Sequence, residues 1–462
     1  MLKESIQEFW LKEAQPALMD FIRLPSKSTA FDPQWKENGY LKGACKLAAD
    51  WIRKAVPEAK CEILEFNGKT PCLFVEIEGH QDNDKTIAFY GHLDKQPEAT
   101  GWRDGLGPWT PVLEGEYLYG RGASDDGYSV YAMITAIKGL QRCKMPYPRI
   151  VAIFETQEES GSEDLPDYLL ALKERVGSPE CFIILDNQCG DYERLWLNTS
   201  LRGTITGTLT VKAMDFGIHS GTFSGLTPDP LSIAQALVAR IHDPITGRIL
   251  LESLHTTIPE LRIQQLKEVA NELGNNIWKS APLLPGVCPK HANNHENLIH
   301  SIWEPTLTII GIDGIPSIKD AGNVIQGQVA LRLSFRTPPN IDMNQAMKDI
   351  VRCLTQDIPY GCQTVWNDLE CNPGWSAPAQ KGKFERLFSE AAFDVFNKKT
   401  LANGQGASIG FVPKFEELFP ATEIVLIGVL GPHSNAHAPD ESLNIRYVQQ
   451  LIQTISIVLS KA

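Results

Sequence analysis

The sequence has no run of 18 apolar residues, so no segment reads as a helix crossing a bilayer. It has no C-x-x-C pair among its ten cysteines (45, 61, 72, 143, 181, 189, 288, 353, 362 and 371), and 462 residues need no disulfide staples. The cysteines therefore read as mostly buried thiols of a reducing cytoplasm. Positive charge is in deficit: 43 Lys and Arg against 56 Asp and Glu, a net charge of −13. Such a chain has no electrostatic reason to seek phosphate backbones or anionic lipid, so nucleic acid and membrane are not expected partners. Internal repeats and low-complexity linkers are absent. Residues 1–20 lack the apolar core and cleavage site of a signal peptide; their mixture of Ile6, Phe9, Trp10 and Leu18 with charges predicts an amphipathic helix. What remains is an ordinary globular composition, 43% hydrophobic and 21% charged. The length suits two or three domains of about 150 residues each.

Apolar runs at 73–77, 86–90, 150–154 and 182–185 alternate with helical patterns at 129–140 and 167–176. That alternation predicts an α/β domain with a largely parallel sheet. From about residue 200 the texture changes. Residues 204–211 alternate as a half-exposed antiparallel strand does. Helices are expected at 229–241 and 343–354, and strands at 306–310, 324–335 and 363–367. The stretch 252–304, rich in Asn, Pro and His, reads as an irregular insert with His291, His295 and His300 on the surface. Beyond 373 the α/β texture resumes, with a helix at 384–396, a strand at 424–429 and a closing helix at 445–460. The expected architecture is an α/β domain made of residues 1–199 and 373–462, its mostly parallel sheet flanked by helices. A smaller two-layer α+β module, residues 200–372, interrupts it.

In open parallel sheets, ligands bind outside the carboxyl ends of the strands. After 86–90 comes Gly91-His92-Leu93-Asp94; after 150–154 comes Glu155-Thr156-Gln157-Glu158-Glu159; after 182–185 comes Asp186. His437 follows the strand at 424–429, and the turn Gly120-Arg121-Gly122-Ala123-Ser124 delivers Asp125-Asp126. Each has an ordinary role when taken alone. His92 could be a core histidine, Asp125 a helix N-cap, and the Glu pair a solvated face. Five segments converging on one sheet edge point instead to a site for divalent zinc, cobalt or manganese.

These segments resemble the zinc-dependent exopeptidase and amidohydrolase family of carnosinase, glutamate carboxypeptidase, aminoacylase and succinyl-diaminopimelate desuccinylase. The resemblance rests on His92-Leu93-Asp94, Gly120–Asp125, Glu158–Glu163, Leu185-Asp186-Asn187, His219-Ser220-Gly221, Asn323-Val324-Ile325, Arg336 and His437–Glu441, in the family's order. It implies two divalent metal ions, zinc first, with manganese or cobalt as alternatives. Asp125 would bridge them; His92 and Asp186 would complete one site, Glu159 and His437 the other. Asp94 would hold the His92 ring, and Glu158 would be the general base toward the attacking water. The module 200–372 would be a lid and homodimerisation domain. His219 would reach the partner subunit's active site to stabilise the oxyanion. Asn323, Arg336 and Ser408, the last in Gly406-Ala407-Ser408-Ile409, would hold the substrate. In the family the bond after the bridging Asp tends to be cis; Asp126-Gly127 stands here where many relatives have Lys-Gly. The motifs favour the carnosinase-type branch, and so cleavage of dipeptides or small peptides. The alternative is deacylation of an N-acyl amino acid such as succinyl-diaminopimelate. A third reading is a non-catalytic binding protein on the same fold.

Overall fold

The computed structural model describes residues 1–80, 85–279 and 281–462. A nine-stranded mixed sheet organises the larger body. Its order is Lys60–Leu64, Cys72–Ile77, Arg149–Glu155, Thr86–His92, Cys181–Ile184, Glu423–Leu426, Trp196–Leu201 and Trp375–Ser376, with Leu401–Gln405 pairing Trp196–Leu201 as well. The four central strands, from Arg149–Glu155 to Glu423–Leu426, are mutually parallel. The flanks are antiparallel except for Leu401–Gln405. Apolar side chains fill both faces of the central strands, which is why their sequences are continuous runs rather than alternations. One face carries the helices Leu2–Phe9, Gln15–Ile22, Tyr40–Ala55, Tyr128–Arg142, Lys383–Phe396 and Ile445–Lys461; the other carries Leu165–Val176 and Val412–Leu418. Parallel register brings strand ends together: His92 lies opposite Glu155, and Tyr90 opposite Ile184. This places the segments that follow these strands at one edge.

The smaller layer is a four-stranded antiparallel sheet in the order Thr306–Asp313, Gln328–Thr337, Gly203–Lys212, Gln363–Asn372. Gly203–Lys212 and Gln328–Thr337 bury alternate residues, and helices Pro230–Ala239 and Met343–Thr355 cover that apolar face. The strand expected at 324–335 is two strands. Val324–Ile325 pairs with Ile218–His219, and Gln328–Thr337 joins the large antiparallel ladder. Gly327 permits the change of partner, because a Cβ there would stand 2.7 Å from the Met214 carbonyl oxygen.

The stretch 252–304 is not irregular. It forms helices Glu260–Leu273, Asn276–Lys279 and Asn294–Ile302, and Leu266, Val269, Leu298, Ile302 and Trp303 are buried in the core of the nine-stranded sheet. Its Asn, Pro and His concentrate between and at the ends of the helices, which masked two short apolar stripes in the sequence. His291, His295 and His300 are partly buried rather than free on the surface; His291 and His300 stack with ring centroids 3.8 Å apart. Among the described residues, no helix is long and apolar enough to cross a membrane.

Candidate metal centre

Six predicted side chains meet at the carboxyl edge of the central strands. His92 ends its strand with Nε2 3.2 Å from Asp125 Oδ1 and 3.8 Å from Asp186 Oδ2. His437 Nε2 approaches the other Asp125 oxygen at 3.0 Å and Glu159 Oε2 at 3.2 Å. The Asp125 carboxylate thus faces one imidazole with each oxygen. Donor atoms of His92, Asp125 and Glu159 lie within 4.8 Å of one another, as do those of His92, Glu158 and Asp186. Glu158 therefore reaches the donor cluster as well as standing beside it. Imidazole nitrogen and carboxylate oxygen at this density are the donor set that zinc, manganese and cobalt take.

Neighbouring groups hold these donors in place. The His92 ring points Nδ1 at the Asp94 carbonyl oxygen, 3.1 Å away, with the Asp94 carboxylate at 3.5 Å. That carboxylate has a second task absent from the sequence reading: it accepts the backbone N–H groups of Glu158 and Glu159, fixing the turn that presents both. Gln96 donates to Glu159 Oε2 at 2.6 Å. The Asp125–Asp126 peptide is cis, and Asp126 Oδ2 accepts the His92 backbone N–H. Gly91 makes this approach possible, since a Cβ there would lie 2.5 Å from Asp126 Oδ2 and 2.4 Å from Ser129 Oγ.

Glu441, the last residue of the His437–Glu441 motif, has a structural role. Its buried carboxylate accepts the N–H groups of Gly122, Ser124 and Asp125 and pairs with Arg121 at 2.8 Å. The turn that aims Asp125 is wrapped around it. Glu441→Gln leaves the Arg121 guanidinium buried without its counter-charge. A broken buried pair costs about 3–5 kcal/mol, so the midpoint of denaturant unfolding falls markedly and metal affinity falls with it. An unchanged midpoint would remove Glu441 as the anchor of this turn.

The electrostatics are those of a crowded anionic pocket. Burial pushes Glu158 well above the usual carboxylate range, and the Asp186 charge adds to it. Burial likewise raises Glu159 and takes Asp186 up to about 7. Burial acts on Asp125 in the same sense, but hydrogen bonds from His437 and His92 outweigh it and hold its carboxyl below the usual range. Hydrogen bonds to Asp125 and Glu159 raise His437 to about 11. Clustered carboxylates that gather protons in this way are the arrangement a divalent cation stabilises by replacing them.

The remaining predicted residues lie on the smaller layer and on the 401–411 segment. Arg336 Nη1 donates to Ser408 Oγ at 3.0 Å, joining the smaller layer to the 401–411 segment. His219 and Asn323 are neighbours, with the Ser220 N–H donating to the Asn323 carbonyl. Both are exposed, and among the described residues neither touches the carboxylate cluster of its own chain.

A model of peptidase family M20/M25/M40 matches residues 88–461. Cys-Gly metallodipeptidase dug1 of Schizosaccharomyces pombe is 24% identical over 382 residues, covering 79% of this chain and 78% of its own. The β-Ala-His dipeptidase of Homo sapiens is 28% identical over 385 residues, covering 81% and 74%. Among solved structures, human carnosine dipeptidase 1 superposes with a TM-score of 0.77 at 23% identity, covering 100% of this chain and 99% of that one. The metallo-carboxypeptidase Sso-CP2 of Sulfolobus solfataricus gives 0.78 at 19% identity, covering 97% and 99%. The fold is shared with these, the donor cluster sits where parallel strands end, and the family match spans the cluster from end to end: this chain is a metallopeptidase of family M20/M25/M40.

Proposed function

We propose that this enzyme hydrolyses dipeptides, using two divalent ions, zinc by first preference. The observation that carries the reading is the Asp125 carboxylate, which turns one oxygen to each imidazole with Glu158 alongside. The Cys-Gly and β-Ala-His dipeptidases among its relatives support the substrate class. His92, Asp125 and Asp186 would hold one ion, and Asp125, Glu159 and His437 the other. When bound, such ions acidify a water and polarise the scissile carbonyl. Glu158 takes a proton from the attacking water and returns it to the leaving amine, a task suited to a carboxylate whose basicity burial has raised. Arg336 offers a guanidinium fork to the substrate's terminal carboxylate, with Ser408 beside it.

His219 and Asn323 act, in this reading, in the active site of a partner copy of this chain. Their exposure on the smaller layer supports that role. Residues 200–372 form the lid and dimerisation domain, supported by a separate core of residues from 205 to 366; the helices of 260–302 belong to the larger core instead. A reducing compartment, the cytoplasm, agrees with ten unpaired thiols.

The test is hydrolysis by zinc- or manganese-loaded protein of a panel holding free dipeptides, β-alanyl-histidine and succinyl-diaminopimelate. Release of amino acids from dipeptides with a free amine is expected. Cleavage of the succinyl compound alone would overturn the substrate class.

A further inference from the structure

A cavity of about 900 Å³ lies apart from the carboxylate cluster, between the smaller layer and the helices of 260–302. That volume suits a small-molecule ligand. Its cations outnumber its acids: Arg202, Arg248 and Lys290 line it against Asp243 and Glu304. Arg248 and Lys290 line it, and among the described residues neither has a carboxylate partner. They share one wall: Lys290 Nζ lies 3.3 Å from where a Cβ on Gly247 would stand. The acids of the lining are already engaged. Asp243 accepts the Thr246 hydroxyl and the Ile245 N–H, and Glu304 pairs with His300. Both cations are exposed, and together they offer an anion charge-assisted contacts in a chain of net charge −13.

Flat groups also line the cavity. His291 and His300 stack at 3.8 Å with an interplanar angle of 7°. Trp278 lines the same space, its indole N–H held by Asn294 Oδ1 at 3.1 Å. Asn297 fixes the His291 backbone from both sides, donating to its carbonyl at 2.8 Å and accepting its N–H at 3.1 Å. The rings are therefore held by the fold rather than left free. Burial, opposed by the Glu304 charge, keeps His300 below the ordinary histidine range.

We propose that this cavity binds an organic dianion in which a phosphate monoester is joined to a planar ring. The phosphate pairs with Arg248 and Lys290, and the ring lies against the imidazoles and Trp278.

The test is titration calorimetry on the full-length, metal-loaded protein with adenosine 5′-monophosphate, inorganic phosphate and adenosine as probes. The nucleotide binds more tightly than either fragment alone. The double variant Arg248→Ala/Lys290→Ala, whose residues touch no group of the metal centre, weakens nucleotide binding by about tenfold or more. Its circular dichroism and peptidase activity without nucleotide match the parent. The conservative Lys290→Arg retains binding. No heat with the nucleotide, or equal affinity in parent and double variant, would overturn the proposal.

Discussion

Replacing Glu158 with Gln lowers kcat by about 10²–10⁴-fold, the contribution a positioned general base makes, while the protein keeps its metal. The substitution preserves shape and leaves an amide oxygen facing the donor cluster, but the amide cannot accept the proton of the attacking water. The turn is unaffected, because Asp94 holds it through the backbone N–H groups of Glu158 and Glu159 rather than through the side chain. Loss of one buried carboxylate also relieves Asp186 and Glu159, whose charges press on Glu158 in the parent. Metal content is read by emission spectroscopy beside steady-state kinetics. Undiminished kcat would remove Glu158 as the base; loss of metal together with activity would make it a ligand.

Asp125→Ala has the larger structural consequence. Its two oxygens serve different imidazoles, so one substitution removes a donor from both halves of the site. The expected result is loss of both ions and of measurable turnover. Thermal unfolding separates this from general misfolding. A ligand bound only by the native state raises Tm, by about 2.7 kcal/mol of stabilisation at a hundred times its dissociation constant. Added zinc therefore raises the Tm of the parent and of Glu158→Gln but not that of Asp125→Ala. The surrounding turn stays wrapped on Glu441, which accepts backbone N–H groups and so does not depend on the Asp125 side chain. A zinc-dependent rise of Tm in Asp125→Ala equal to the parent's would refute the shared-ligand role.

The two variants together separate chemistry from assembly. One retains the ions without the base, the other retains the fold without the ions. They also exploit a difference in position: Glu158 and Glu159 are consecutive, yet Glu159 is tied to His437 and Gln96 whereas Glu158 faces Asp186.

Several elements are legible in the sequence. The runs at 86–90, 150–154 and 182–185 are apolar without alternation because both faces of a central parallel strand are covered. The donors could be picked out because they follow those runs directly, and a strand end and the group beyond it are local in sequence. The alternation of 204–211 announced a sheet with one covered face. The helices within 252–304 are not legible in the sequence because they are short and lie beside Asn- and Pro-rich turns. Amphipathic stripes of this length are weak signals until the core they dock on is known.

By itself the sequence determined which chemical groups stand at the strand ends, and in what order along the chain, because periodicity and turn chemistry act over a few residues. Tertiary structure alone decided how those groups face one another. Arg121 and Glu441 pair across 320 residues. The Asp94 carboxylate reaches the turn of Glu158 and Glu159 over more than sixty residues. Arg248 and Lys290 come to share one wall of a cavity bounded by two cores. Such pairings follow from how layers pack and loops close, and local propensity carries no trace of them.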